Sequence, residues 1–132
     1  MKSEAYYLEE RTAVFGESVI ELCLELSTTP VSAPLITQFV KSSTSIGANY
    51  CEADDAESKA DFRHKIAICR KEARETKHWC RMLAKALPKQ ADALRSLWKE
   101  ANALHLNFAR IVRTTDANLR RDRAAKKRPA TA

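Results

Sequence analysis

The side chains here with the most chemistry to offer are His64, His78 and His105, and Cys23, Cys51, Cys69 and Cys80. A zinc site needs about four convergent ligands, and sequence supplies them through spacings such as HExxH or CxxC. Neither spacing occurs, and His78 and Cys80, two positions apart, fall on different sides of a helix. Glutamates can build a dimetal centre inside a helical bundle, but only as inward-facing Glu and Glu-x-x-His pairs. Neither falls on the core-facing stripes described below. There is also no glycine-rich phosphate loop, no nucleophile elbow and no separated acid pair. The expectation is a protein that is not an enzyme, with no catalytic residue, no metal and no cofactor.

Charge is the stronger signal. Residues 1–109 carry fifteen basic and fifteen acidic side chains and are neutral as a block. The following segment holds Arg110, Arg113, Arg120, Arg121, Arg123, Lys126, Lys127 and Arg128 against only Asp116 and Asp122, which accounts for the net charge of +6. A basic arm of this kind is an electrostatic handle for an anionic partner, most often nucleic acid. Its bland alternative is a solubilising tail with no dedicated partner.

A second polar group lies mid-chain. Ser42, Ser45, Asn49 and Glu52 recur at spacings of three and four and so share one helical face. Arg70, Glu72, Glu75 and His78 follow on the next segment. This set reads either as an interhelical hydrogen-bond network that fixes packing register or as part of a subunit interface. Tyr6, Tyr7, Tyr50, Trp79 and Trp98 are candidate aromatic anchors for such an interface. Both readings stay open.

The elements that must position these residues are four apolar stripes. Over residues 5–27, Leu8, Thr12, Phe15, Val19, Leu22 and Leu26 alternate at four and three, with Ile20 and Leu24 widening the face. Pro30 closes that segment. Over 33–56 the stripe is Ile36, Phe39, Ser43, Ile46, Tyr50 and Ala53, with Ser32 as the expected cap and Pro34 in the first turn. Its centre is rich in serine and small residues, yet the stripe stays in phase across it, so one helix is expected. Asn49 is expected to need a tertiary partner. Over 58–87, Phe62, Ile66, Cys69, Ala73, Thr76, Cys80, Leu83 and Leu87 hold the alternation strictly, and Ser58 with Asp61 resembles a capping box. Over 90–114 the stripe is Leu94, Leu97, Ala101, Leu104, Phe108 and Ile111. Beyond Thr115 apolar residues nearly vanish. Short connections force successive helices antiparallel. The fold expected is all-α, an up-down-up-down four-helix bundle over 1–115 with a basic, disordered tail over 116–132.

The run Ser42-Ser43-Thr44-Ser45-Ile46-Gly47-Ala48-Asn49-Tyr50-Cys51-Glu52-Ala53 resembles the SxxSIxxNIAEG signature of the bacterial four-helix bundle family encoded in intervening sequences of 23S rRNA genes. Lys59-Ala60-Asp61-Phe62 and Glu72-Ala73-Arg74-Glu75-Thr76-Lys77-His78-Trp79 are similar to its second signature, and the likeness covers about residues 8–112. Tyr50, Cys51, Asp54, His78 and Cys80 depart from the usual pattern. The resemblance implies an antiparallel bundle, commonly a homopentamer, without established catalysis. It also implies kinship with the accessory variability proteins of diversity-generating retroelements, which bind a reverse transcriptase and nucleic acid.

Together these readings give an oligomeric nucleic-acid-binding accessory protein, contacting RNA or DNA phosphates through Arg110, Arg113, Arg120, Arg121, Arg123, Lys126, Lys127 and Arg128. Ser42, Ser45, Asn49, Glu52, Glu72, Glu75 and Trp79 are assigned to structure or interface. The rival is a protein-binding scaffold, such as a reverse transcriptase accessory subunit, without its own nucleic-acid specificity. With no apolar run near 20 residues and no paired cysteine motif, a cytoplasmic protein that crosses no membrane is expected.

Overall fold

The first three helix starts are set by hydroxyl side chains. In the computed structural model, which describes residues 3–127, α1 spans Glu4–Glu25 and Ser3 caps it, its Oγ accepting the Tyr6 N–H at 3.2 Å. The second start lies earlier than Ser32. Thr29 Oγ1 accepts the Ser32 N–H at 3.1 Å, and Ser32 Oγ in return accepts the Thr29 N–H at 2.8 Å. That is a reciprocal capping box with Pro30 at its first position, where a missing N–H costs nothing. Ser32 is therefore the returning partner of the box and Thr29 the cap, correcting the sequence reading. The helix it opens, α2, spans Ser32–Asp54. Ser58 caps α3, Lys59–Ala86, by accepting the Asp61 N–H at 3.0 Å, as its sequence suggests. A 3-10 turn, Pro88–Gln90, leads into α4, Ala91–Lys127. Among the described residues there is no strand, and the molecule is an antiparallel four-helix bundle.

The four stripes meet as their spacing requires. Val19, Phe39, Ile46, Ile66, Leu83, Leu94, Leu104 and Phe108 are fully buried and form one continuous core. Each such side chain contributes about 1.5–3 kcal/mol by leaving water. The serine-rich centre of α2 stays helical because its hydroxyls bond within their own helix. Ser42 donates to Phe39 O, Ser43 to Val40 O and Thr44 to Val40 O. Asn49 does the same, donating to Ser45 O at 2.9 Å, and so needs no partner from another helix. At Gly47 an added Cβ would lie 3.3 Å from Thr12 Oγ1. The missing side chain lets α1 approach α2 closely there.

The width of the α1 core face is also corrected. Ile20 and Leu24 do not widen the core face: they are 42% and 82% exposed. The helices pack unevenly on one another. Helix α3 packs broadly on α2 and α4, while α1 and α4 meet lightly. That light seam is latched by polar side chains, with Arg11 gripping Glu100 through two bonds of 2.8 Å and Arg110 reaching Glu4 at 2.7 Å.

A larger correction concerns the end of α4. Helix α4 does not end near Thr114 in a disordered tail but continues to Lys127. Arg120, Arg121, Arg123, Ala124, Ala125, Lys126 and Lys127 are good helix formers, and cations suit a helix C-terminus. The extension also leans on α3. Asp116 accepts from Arg63 at 3.0 Å, and Asp122 from Lys59 at 2.8 Å. Residues 128–132, including the expected phosphate ligand Arg128, lie outside the described residues.

Burial also sorts the thiols. It pushes Cys69 and Cys80 up to about 12 and Cys23 to about 11, whereas Cys51 is exposed on α2. A thiol-alkylating reagent at pH 8 is expected to modify Cys51 in the native protein well ahead of Cys69 and Cys80. Peptide mass spectrometry reads the order, and denaturant should make all four react alike. Rapid native labelling of Cys69 would contradict this packing.

Candidate nucleic-acid interface

The bundle sorts charge by helix. Six carboxylates on α1 (Glu4, Glu9, Glu10, Glu17, Glu21, Glu25) face a single cation, Arg11. Helix α3 carries nine basic residues against Asp61, Glu72 and Glu75, and α4 carries nine against Asp92, Glu100, Asp116 and Asp122. The neutrality of residues 1–109 is thus a sum over opposite sides of the molecule. One side is acidic and the other strongly basic.

Within the basic side the cations form two neighbouring rows. On α3, Arg63, Ala67, Arg70, Arg74, Lys77 and Arg81 recur at four and three, which places them on one edge. On α4, Asn102, His105, Ala109, Arg113, Asp116, Arg120, Arg123 and Lys127 recur in the same way. Two sets of contacts hold the rows together. Lys77 Nζ donates to Asn102 Oδ1 at 3.0 Å and lies 3.2 Å from His105 Nδ1, and Arg63 bonds Asp116. The track from Lys77 along α3 and out over the α4 extension runs for about 40 Å at 1.5 Å per residue. That is about one turn of a nucleic-acid duplex.

A cavity of about 540 Å³ opens in this face, lined by His64, Ala67, Ile68, Arg70, Lys71, Arg74 and His105. Arg70 and Arg74 make no ion pair or hydrogen bond among the described residues. Burial, then Lys77, Arg74 and Arg70, hold the His105 imidazole below its ordinary range. Lys77 is itself pushed down, by burial and by Arg74. Burial and repulsion among these groups mark a site of positive potential.

The His105 shift has a definite sign in stability. The unfolded imidazole titrates near 6.5, above its folded value, so below that pH the unfolded chain binds the extra proton first. Stability from this residue is full above about pH 7 and falls as pH drops through 6.5 toward the folded value. Urea midpoints at pH 7.5 and 5.5 should therefore drop more for the native sequence than for His105→Gln. An equal or larger drop in the variant would contradict the assignment.

The expected phosphate ligands are distributed unevenly. Arg113, Arg120, Arg121, Arg123, Lys126 and Lys127 are exposed on α4. Arg110 is already paired with Glu4, so a phosphate must compete for it. Sequence reasoning put Arg70 in the mid-chain polar set rather than among the phosphate ligands, and missed Arg74 and Lys77. Their four-three spacing beside the core stripe was the available signal, and summing charge along the chain hid it.

The mid-chain polar set splits. Ser42 is buried and accepts a 2.9 Å bond from Thr76 Oγ1, a link between α2 and α3 inside the core. Glu52 reaches Lys65 across the same helix pair at 2.7 Å. Ser45, Glu72 and Glu75 border a small groove of about 230 Å³ with Lys41 and Lys71. Trp79 is half-buried with its indole N–H unpartnered among the described residues, and the exposed His78 ring meets its edge. No group of three or more His, Cys, Asp or Glu side chains is placed to hold a metal among the described residues. Of the aromatic residues named as anchors, Tyr6, Tyr7 and Trp98 are exposed, while Tyr50 is buried against Phe108.

The sequence pattern described as 23S rRNA-intervening sequence protein matches residues 9–113. The chain belongs to this family. A crystal structure of a protein of unknown function from the S23 ribosomal protein family of Bacteroides thetaiotaomicron VPI-5482 has a similar fold. It is 26% identical, with a TM-score of 0.76, and the alignment covers 84% of this chain and 99% of that one. No curated protein matches the sequence. The matched family region ends at 113, so most of the cationic extension of α4 lies beyond it. No helix among the described residues is long and apolar enough to cross a membrane.

Proposed function

We propose that this member of the 23S rRNA-intervening sequence protein family is an oligomeric accessory protein that binds RNA or DNA along its α3–α4 face. The observation that carries the reading is the sorting of charge, with α1 acidic and α3 and α4 basic. Contacts of this type go to phosphates and recognise charge and shape. The α4 extension lengthens the track and adds Arg120, Arg121, Arg123, Lys126 and Lys127 to it. Self-association fits the exposed Ile20 and Leu24 of α1, of which Ile20 borders a groove lined by Ala13, Gly16, Gly47 and Ala48. In a homopentamer the basic faces would act together, and weak contacts would multiply.

The test is affinity for structured RNA and for duplex DNA across a salt series, with and without residues 116–132. Binding should weaken steeply with salt, and removing the extension should lower both affinity and slope. No binding at about 0.05 M salt would end the proposal. Light scattering gives the mass of the assembly in the same buffers.

A second reading is favoured by the same exposed row on α1. Ile20 and Leu24, rimmed by Glu17 and Glu21, would suit a basic protein partner, including a reverse transcriptase of the kind served by retroelement accessory proteins. A partner recovered equally well after nuclease treatment, together with no direct nucleic-acid binding, would favour this scaffold role.

A further inference from the structure

Resting on the nucleic-acid reading, we propose that the α3–α4 cavity is a seat for one phosphate monoester, the doubly charged group at a strand end or on a nucleotide. It is bordered by Arg70, Arg74 and His105. An internal phosphodiester carries one charge and would be served by any stretch of the cationic track. The cavity differs from the rest of that track in three respects.

First, the cavity gathers Arg70, Lys71 and Arg74 with no carboxylate in its lining. Along the α3 row, Arg63 is occupied by Asp116 and Lys77 by Asn102 and His105. Arg70 and Arg74, between them, make no ion pair or hydrogen bond among the described residues. Two planar guanidiniums with all their donors available match a compact group with three terminal oxygens.

Second, His105 is set up as a donor. An ammonium has only protons to give, so Lys77 Nζ, 3.2 Å from Nδ1, requires that nitrogen to accept. The ring proton of neutral His105 then sits on Nε2, which has no partner among the described residues. The seat thus offers the Arg70 and Arg74 guanidiniums, the Lys71 ammonium and a neutral N–H, while the Lys77 ammonium behind the ring adds charge without adding a contact.

Third, the volume exceeds what a phosphate needs. About 540 Å³ is the size of a small-ligand pocket, and Ala67 and Ile68 give it an apolar wall. A terminal nucleotide can place its phosphate among the arginines and its sugar or base against that wall. Along α3 the space is bracketed by the closed Arg63–Asp116 and Lys77–Asn102 contacts. A chain end fits this bracket better than a strand passing through.

The experiment compares one oligonucleotide, labelled at its 3′ end, carrying either a 5′-phosphate or a 5′-hydroxyl. The full chain is titrated with each at about 0.1 M salt, where one further phosphate charge is worth about tenfold in affinity. The phosphorylated strand should bind about tenfold tighter. That advantage should fall below about twofold in Arg70→Gln/Arg74→Gln, a variant whose folding is checked by its far-ultraviolet spectrum. Displacement of the advantage by millimolar nucleoside 5′-monophosphate would show that free nucleotides use the seat, and no displacement would restrict it to strand ends. Equal affinity for both strands in the native protein overturns the seat while leaving backbone binding intact. Failure to bind either strand overturns the nucleic-acid reading as well. A preference that survives in the double variant places the recognition elsewhere and also overturns the proposal.

Discussion

Replacing Arg70, Arg74 and Lys77 together with glutamine is expected to weaken binding to duplex DNA about 100-fold at about 0.05 M salt. Each phosphate neutralised on a duplex contributes a slope of about −0.9 to log affinity against log salt. At that salt one contact is worth about tenfold, so three full contacts would give about a thousandfold. Lys77 is already engaged with Asn102 and His105, so two to three effective contacts is the better count. The slope should become shallower by about two to three. Replacing Glu17, Glu21 and Glu25 of α1 with glutamine is the matched control, since these lie on the acidic helix. It should leave affinity unchanged or slightly raised. Equal losses from both triple variants would mean that only total charge matters and that the α3–α4 face has no special role.

Phe108→Ala should cost about 3–5 kcal/mol and lower the melting temperature by about 10–20 °C. Phe108 is fully buried and packs on Tyr50, with ring centroids 6.1 Å apart. Truncation removes the transfer energy of the ring and leaves a cavity that four locked helices cannot collapse. Set against a typical total stability of about 5–15 kcal/mol, that is a large share. Leu106, two residues earlier on the same helix and 59% exposed, is the control. Leu106→Ala should change stability by no more than about 0.5 kcal/mol. If the two variants melt alike, α4 is rotated from the placement described here.

Most of the scaffold was legible because core packing writes itself into spacing. Ile66, Cys69, Ala73, Thr76, Cys80 and Leu83 hold a strict four-three alternation, and all six are buried. Phe39, Ser43, Ile46, Tyr50 and Ala53 likewise stay in phase through a serine-rich stretch that propensity alone would have broken. Ser58 announced its helix start correctly. Where the reading failed, the deciding contact was polar and long-range. The α4 extension lacks an apolar stripe, so its sequence resembles a tail. Its ion pairs join residues 53 and 63 positions apart, Arg63 with Asp116 and Lys59 with Asp122, and nothing local announces them. Exposed ion pairs of this kind are individually weak, and they assist a segment that already favours helix.

The candidate site was half legible. The cations of the last segment stood out in a linear tally of charge. Arg70, Arg74 and Lys77 did not, because Glu72 and Glu75 alternate with them along the chain while falling on another side of the helix. Ile20 and Leu24 were assigned to the core because their spacing fits a broad apolar face. Spacing fixes which side of a helix a residue occupies, but the reach of the neighbouring helix decides which sides are covered, and α2 leaves Ile20 at the open edge of its groove with α1.

The most direct measurement is an amide nuclear magnetic resonance map of the full chain, titrated with a duplex of about one helical turn at low salt. Charge sorting predicts perturbed signals along residues 63–81 of α3 and 102–127 of α4, with α1 quiet. Signals that move mainly on α1 and α2, or nowhere, would contradict it.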